Sequence, residues 1–77
     1  MNATEKTVAE IIEDVCSQVR VSEGDGDTPL KDLGVDSLDV AGIFLALQEK
    51  LGVRVPDDEI DALNTVRLIA AYLDARR

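Results

Sequence analysis

Apolar residues recur at helical spacing in three separate segments of this chain, and no segment shows the polar and apolar alternation of a strand. In the first segment they follow an i, i+3, i+4, i+7, i+11 pattern: Val8, Ile11, Ile12, Val15 and Val19. The pattern predicts a helix over residues 4–19, with Asn2 and Glu5, or Thr4, available to cap its start. The chain is therefore expected to be all-α.

The second segment predicts a helix from residue 37 or 38 to residue 51, ending before Gly52. One side of this helix carries Val40, Ile43, Phe44, Leu47 and Leu51. A second side carries Leu38, Ala41 and Leu45. One apolar side is enough to reach a core. The second side either faces a partner or marks a central helix that is buried all round, and the pattern alone favours neither.

A third main helix is expected within "NTVRLIAAYLDARR", capped by Asn64 or Thr65. Its inward stripe consists of Val66, Ile69, Ala70 and Leu73. Pro56 and the acidic run from Asp57 to Asp61 predict a helix of one or two turns before it. Residues 22–36 form a long loop, which Leu30 and Leu33 are expected to pin to the core. The prediction is one domain over residues 1–77, with three main helices and one short helix around a single core.

The composition excludes several classes of function. The net charge of −8 argues against binding to nucleic acid or to an anionic membrane, and it favours basic protein partners. The single cysteine, Cys16, can form no internal disulfide, and it is expected to be a small core residue in a reducing compartment. No secretory signal and no apolar run of spanning length is visible. We therefore expect a cytoplasmic protein.

The residues offer little for autonomous catalysis or for metal binding. Histidine is absent, which removes the commonest general base and the commonest zinc ligand. A calcium loop opening at Asp25 would need glycine at its sixth position, where Leu30 stands. Ser37, in "DSL", has no histidine to activate its hydroxyl. Ser37 is then either a helix cap, a task that Asp36 can perform equally well, or a site where another protein attaches a group.

The stretch "DLGVDSLDV" resembles the attachment motif of acyl and peptidyl carrier proteins, the phosphopantetheine-dependent carriers. The resemblance covers nearly the whole chain, because "GVRVPDDEID" is similar to the short third-helix region of that family and "NTVRLIAAYLDA" to its last helix. It implies a four-helix acyl-carrier-like bundle. It also implies a non-catalytic protein that carries 4′-phosphopantetheine on Ser37, with Asp36 as a motif neighbour, and holds acyl groups as thioesters on that arm.

The resemblance further implies how partner enzymes dock. Leu38, Ala41 and Leu45 match the exposed docking side of the second helix, and Asp36, Asp39 and Glu49 match its acidic rim. Gly42 and Gln48 stand where fatty-acid carriers commonly have glutamate, so the rim is expected to be thinner here. The docking set is therefore predicted to be Leu38, Asp39, Ala41, Gly42, Leu45, Gln48 and Glu49.

These implications lead to one expected function with three alternatives. We expect a complete, free-standing type II carrier, monomeric and without metal, in a specialised pathway of polyketide, antibiotic or small-acyl type. Its partners would be a phosphopantetheinyl transferase, an acyltransferase or ligase, and ketosynthase-type enzymes. The alternatives are a housekeeping fatty-acid carrier, a peptidyl or aminoacyl carrier, and a small helical adaptor in which Ser37 is only a helix cap.

Overall fold

The computed structural model describes residues 1–76, and within that range the chain forms four α-helices and no strand. The helices are α1 (Ala3–Val15), α2 (Ser37–Leu51), α3 (Asp57–Ile60) and α4 (Val66–Ala75). Two short 3₁₀ helices, Glu23–Asp25 and Leu30–Leu33, lie in the segment between α1 and α2. The all-α prediction of three main helices, one short third helix and a long first connection is confirmed.

Helix α1 begins at the predicted cap but ends earlier than predicted. The Asn2 side chain accepts the Glu5 backbone N–H at 2.8 Å, and the Glu5 carboxylate accepts the Asn2 N–H at 2.9 Å. The chain leaves the helix at Cys16 (φ −117°, ψ 86°), so the predicted extension to residue 19 is wrong. Val19 is nevertheless only 1% exposed. The apolar pattern continued past the helix because the turn that follows also packs on the core.

One hydrophobic core joins the three main helices, since α1 packs against both α2 and α4. The largest fully buried side chains are Ile12, Ile43, Leu47, Ile69, Leu73, Val8, Val19 and Val66. On α2 the buried side chains are Ile43, Phe44 and Leu47, whereas Val40 and Leu51 are only partly buried. Leu38, Ala41 and Leu45 are exposed. Helix α2 is therefore buried on one side and open on the other, which excludes the interpretation of a helix buried all round.

The long connection is held against the start of α4 by hydrogen bonds and ion pairs. The Leu30 N–H donates to the Asn64 carbonyl at 2.9 Å, and the Arg67 N–H donates to the Gly26 carbonyl at 2.9 Å. The Arg67 guanidinium lies 2.8 Å from the Asp27 carboxylate and 3.7 Å from that of Glu5. Leu30 is buried, as predicted, whereas Leu33 is only partly buried. These contacts give the segment before α2 a defined position.

Helix α3 has no buried residue and is attached to α4 through polar contacts. The Tyr72 hydroxyl donates to the Glu59 carboxylate at 2.7 Å, and this bond raises the pKa of Tyr72. The Arg76 guanidinium lies 3.8 Å from the centre of the Tyr72 ring, and 4.0 Å from the Glu59 carboxylate. Ile60 is partly buried against the core. Helix α3 thus lies beside α2, and the contacts of Glu59 with Tyr72 and Arg76 attach it to α4.

The two sides of α2 predict different stability effects for the same substitution. Leu47→Ala should lower the free energy of unfolding by about 2–5 kcal/mol, because the Leu47 side chain is fully buried and its loss leaves a cavity. Leu45 lies two residues earlier in the same helix but is 56% exposed, so Leu45→Ala should cost less than about 1 kcal/mol. Denaturant titration of both variants measures the difference. Equal losses would contradict this assignment of the two sides.

Candidate functional site at the start of helix α2

Ser37 is the first residue of α2, and its side chain is exposed. The residue before it, Asp36, is the N-cap: its carboxylate accepts the Asp39 N–H at 2.9 Å. The Asp39 carboxylate accepts the Asp36 N–H in return, at 3.4 Å. The Ser37 hydroxyl makes no hydrogen bond within residues 1–76. Of the two candidate caps, Asp36 performs the capping, and the serine hydroxyl is left available for modification.

The turn before α2 directs Ser37 outward. Gly34 ends the 3₁₀ helix with φ at 99°, a left-handed conformation that favours glycine. Val35 follows, 4% exposed, and its N–H donates to the Leu30 carbonyl at 3.1 Å. Sequence reasoning missed Val35 as a core residue. The available signal was a hydrophobic staple, an apolar residue just before the cap paired with one four positions into the helix, here Val40.

A cleft of about 290 Å³ opens beside Ser37. Its apolar lining comes from Leu30, Val35, Val40, Ile60 and Leu63. Polar side chains also line it, among them Lys31, Asp61 and Asn64. The walls therefore combine the connection before α2, α2 itself, and the segment from α3 to α4. The cleft has room for part of a flexible chain attached at Ser37, and it can contact both apolar and polar portions of such a chain.

Most of the predicted docking residues lie on the open side of α2. Leu38 is 82% exposed and Leu45 is 56% exposed. Ala41, Gln48 and Glu49 are also exposed. A second, shallower cleft of about 200 Å³ separates this side from α3, and Ala41, Leu45 and Gln48 line it. Asp39 is partly buried, and its carboxylate serves the helix cap. The structure brings these residues onto one surface next to Ser37, and their role in docking stays a prediction.

Gly42 does not belong to this open surface. It is partly buried, and a Cβ atom at this position would lie 3.2 Å from Cγ1 of Val15 on α1. That distance is closer than ordinary van der Waals contact, so the glycine lets α1 approach α2. Its placement in the docking set is therefore corrected: the absence of a side chain at Gly42 serves helix packing. The prediction of a thinner acidic rim then depends on Gln48 alone.

Within residues 1–76 the structure shows neither a reactive thiol nor a metal-binding cluster. Cys16 is 3% exposed, as expected for a core residue. Burial raises the pKa of its thiol, and the carboxylates of Asp39 and Asp36 raise it further, so the thiol stays protonated and unreactive at neutral pH.

Among residues 1–76 no three His, Cys, Asp or Glu side chains gather to hold a metal ion. Within the same range no helix is long and apolar enough to cross a membrane.

Within residues 1–76, this small helical bundle presents a serine hydroxyl without a hydrogen-bond partner at a helix start, beside a cleft of mixed polarity. A hydroxyl in that position is accessible to another enzyme. Comparison with known proteins agrees. The family model for the phosphopantetheine attachment site matches residues 6–73. The chain belongs to this family, that of the acyl carrier proteins, whose cofactor is covalently attached 4′-phosphopantetheine.

The similar curated proteins are acyl carrier proteins. That of Helicobacter hepaticus is 40% identical over 48 residues, which cover 62% of this chain and 63% of that protein. That of Zymomonas mobilis is also 40% identical over 48 residues, covering 62% of each chain. The mitochondrial acyl carrier protein of Dictyostelium discoideum is 36% identical over 73 residues, covering 91% of this chain and 61% of that protein. The match thus spans about three fifths of the length of these relatives.

The capping arrangement predicts that neighbouring residues contribute very differently to stability. Asp36→Ala removes the acceptor of the Asp39 N–H and should cost about 1 kcal/mol. Asp36→Asn keeps a capping oxygen and should cost much less. Ser37→Ala should be nearly neutral, because its hydroxyl has no partner within residues 1–76. Thermal and denaturant unfolding of the three variants measures this order, and a larger loss for Ser37→Ala than for Asp36→Ala would contradict it.

Proposed function

We propose that residues 1–77 form a single carrier domain that receives 4′-phosphopantetheine on Ser37 and delivers acyl groups between biosynthetic enzymes. The observation that carries this proposal is the exposed Ser37 hydroxyl, released from capping by Asp36, inside the region that matches the attachment-site family. When bound, the arm supplies a terminal thiol that holds the acyl group as a thioester. The protein itself is non-catalytic, and a phosphopantetheinyl transferase modifies it.

In the attachment step the chain itself positions the Ser37 hydroxyl at the exposed start of α2. No base within residues 1–76 contacts the Ser37 hydroxyl, so the transferase must take its proton. The first-turn N–H groups and the positive end of the α2 dipole favour the anion that attachment places there. Asp36 and Asp39 oppose that anion by like charge. The role of Asp36 is therefore its capping hydrogen bond, which sets the geometry of the motif, or recognition by the transferase.

Partner docking is proposed for the open side of α2. Leu38 and Leu45 supply exposed apolar area close to Ser37, with Ala41 between them along the helix. Glu49 and the net charge of −8 suit Lys-rich and Arg-rich partner surfaces. Each exposed ion pair contributes only about 0–1 kcal/mol, so selection among partners rests on several pairs together and on association rate. Ketosynthase-type enzymes and an acyltransferase or ligase are the proposed partners, with the carrier acting as a cytoplasmic monomer.

Two pathways each have an observation in their favour. A specialised polyketide-type or small-acyl pathway is supported by Gln48, an uncharged residue on the open side where fatty-acid carriers commonly have glutamate. Housekeeping fatty-acid synthesis is supported by relatives whose names are simply acyl carrier protein. Nothing specific favours the peptidyl or aminoacyl alternative. The adaptor alternative loses its basis, because Asp36 rather than Ser37 is the cap.

Attachment at Ser37 is tested by intact mass after incubation with a phosphopantetheinyl transferase and coenzyme A. The unsubstituted protein should gain the mass of one arm, and Ser37→Ala should gain none while its circular dichroism stays helical. Ser17→Ala, which removes another exposed serine, is the matched control and should be modified normally. Modification of Ser37→Ala would show that the attachment residue is wrong.

The choice of pathway is tested by kcat/KM of the loaded carrier with a fatty-acid ketosynthase at two ionic strengths. For a specialised carrier this value should be low. Gln48→Glu should raise it by up to about fivefold at low salt, and by less at high salt, because salt screens surface charge. Gln18→Glu adds the same charge outside α2 and is the matched control. Activity of the unsubstituted protein equal to that of a fatty-acid carrier would favour the housekeeping pathway.

A further inference from the structure

Lys31 lies in the wall of the cleft that contains Ser37. It is the second residue of the 3₁₀ helix Leu30–Leu33, and its own carbonyl accepts the Gly34 N–H at 3.2 Å. The backbone on either side is anchored, because Leu30 and Val35 are both buried and joined by a hydrogen bond of 3.1 Å. The stem of Lys31 therefore starts from a fixed point relative to the first residue of α2.

Lys31 forms no ion pair with another residue within residues 1–76. The ion pairs within residues 1–76 join Lys50 to Asp14, Arg67 to Glu5 and Asp27, Arg76 to Glu59, and the N-terminus to Glu23. Lys31 is in none of them. Among residues 1–76 it is also the only cationic residue that lines this cleft, whose other charged residues are Asp36 and Asp61. A strongly acidic protein therefore keeps one available positive charge beside its modification site.

Attachment of the arm changes the charge balance at that point. The Ser37 oxygen loses its proton to the transferase and bonds to the arm's phosphorus, while the pyrophosphate bond of coenzyme A breaks and adenosine 3′,5′-bisphosphate leaves. The neutral hydroxyl thereby becomes a phosphodiester with one negative charge, next to the carboxylates of Asp36 and Asp39. The backbone N–H groups at the start of α2 offset this negative charge only in part, because the Asp39 N–H already donates to the Asp36 carboxylate. A cation in the same cleft offsets the remaining repulsion, and a lysine ammonium suits a phosphodiester as a point charge.

We infer that Lys31 is the counter-charge of this phosphodiester and a positioning residue for the arm, an inference that rests on the proposed modification of Ser37. An ion pair with Lys31 draws the first part of the arm toward the cleft walls formed by Ile60 and Leu63. It draws the arm away from the exposed side chains of Leu38 and Leu45 on α2, so that these remain accessible to a partner. The ligand class is an anionic phosphodiester with an apolar and amide-containing chain behind it.

The position of the arm can be read from a spin label on its terminal thiol. Cys16 is buried, so a thiol-reactive label on the folded, arm-bearing protein reports on the arm alone. The quantity measured is the ratio of paramagnetic relaxation enhancement at the cleft amides of Leu63 and Asn64 to that at Gln48 and Glu49 of α2. An exposed ion pair shifts such a population by up to about fivefold.

Lys31→Met should lower the ratio of cleft to α2 relaxation enhancement by about two- to fivefold. Lys31→Arg keeps the charge and should leave the ratio close to that of the unsubstituted protein. Lys6→Met removes the same charge from the exposed face of α1 and should leave the ratio unchanged. High salt should reduce the difference between the unsubstituted protein and Lys31→Met. Equal ratios in Lys31→Met and Lys6→Met at low salt would overturn the inference. Intact mass separates this result from failure of the proposed function, in which no variant would carry the arm.

Discussion

The reciprocal hydrogen bonds between Asp36 and Asp39 at the start of α2 determine how the neighbouring serine is used. Asp36 accepts the Asp39 N–H at 2.9 Å, and this bond starts the helix without help from Ser37. A serine that caps a helix has its hydroxyl held by the backbone, whereas Ser37 presents its hydroxyl to solvent. The attachment motif therefore divides two tasks between adjacent residues. The carboxylate next to the proposed attachment atom has an electrostatic cost, which the helix dipole offsets in part.

The packing of α1 determines which part of α2 remains available. Because α1 contacts α2 at Gly42 and Val15 and also packs on α4, the buried side of α2 faces inward over its length. Leu38 and Leu45 are left on the opposite side. The short helix α3 then adds a wall next to that open side, held by Glu59 and Tyr72. The proposed modification site, the cleft and the open apolar surface thus lie together because these contacts orient α2.

Much of the fold could be predicted because its signals are local. Apolar spacing of three and four residues located the main helices, and the Asn2–Glu5 box was one of the two caps predicted for α1, with Thr4 as the other. The end of α1 was misplaced because Val19 keeps the spacing after the helix has stopped at Cys16. Gly42 was misassigned because its role depends on Val15, which lies 27 positions earlier in the chain. Periodicity reports which residues are buried, and it does not report which element buries them.

The amino-acid sequence by itself determined the all-α class, the motif around Ser37 and a choice of two caps for α2, since spacing and capping involve residues within one or two turns of each other. Only the tertiary structure decided that α2 keeps an open side, that Gly42 belongs to the contact with α1, and that Lys31 shares a cleft with Ser37. The physical reason is that burial and cleft formation depend on contacts between distant segments. Those contacts exist only once α1, α4 and the long connection have packed together.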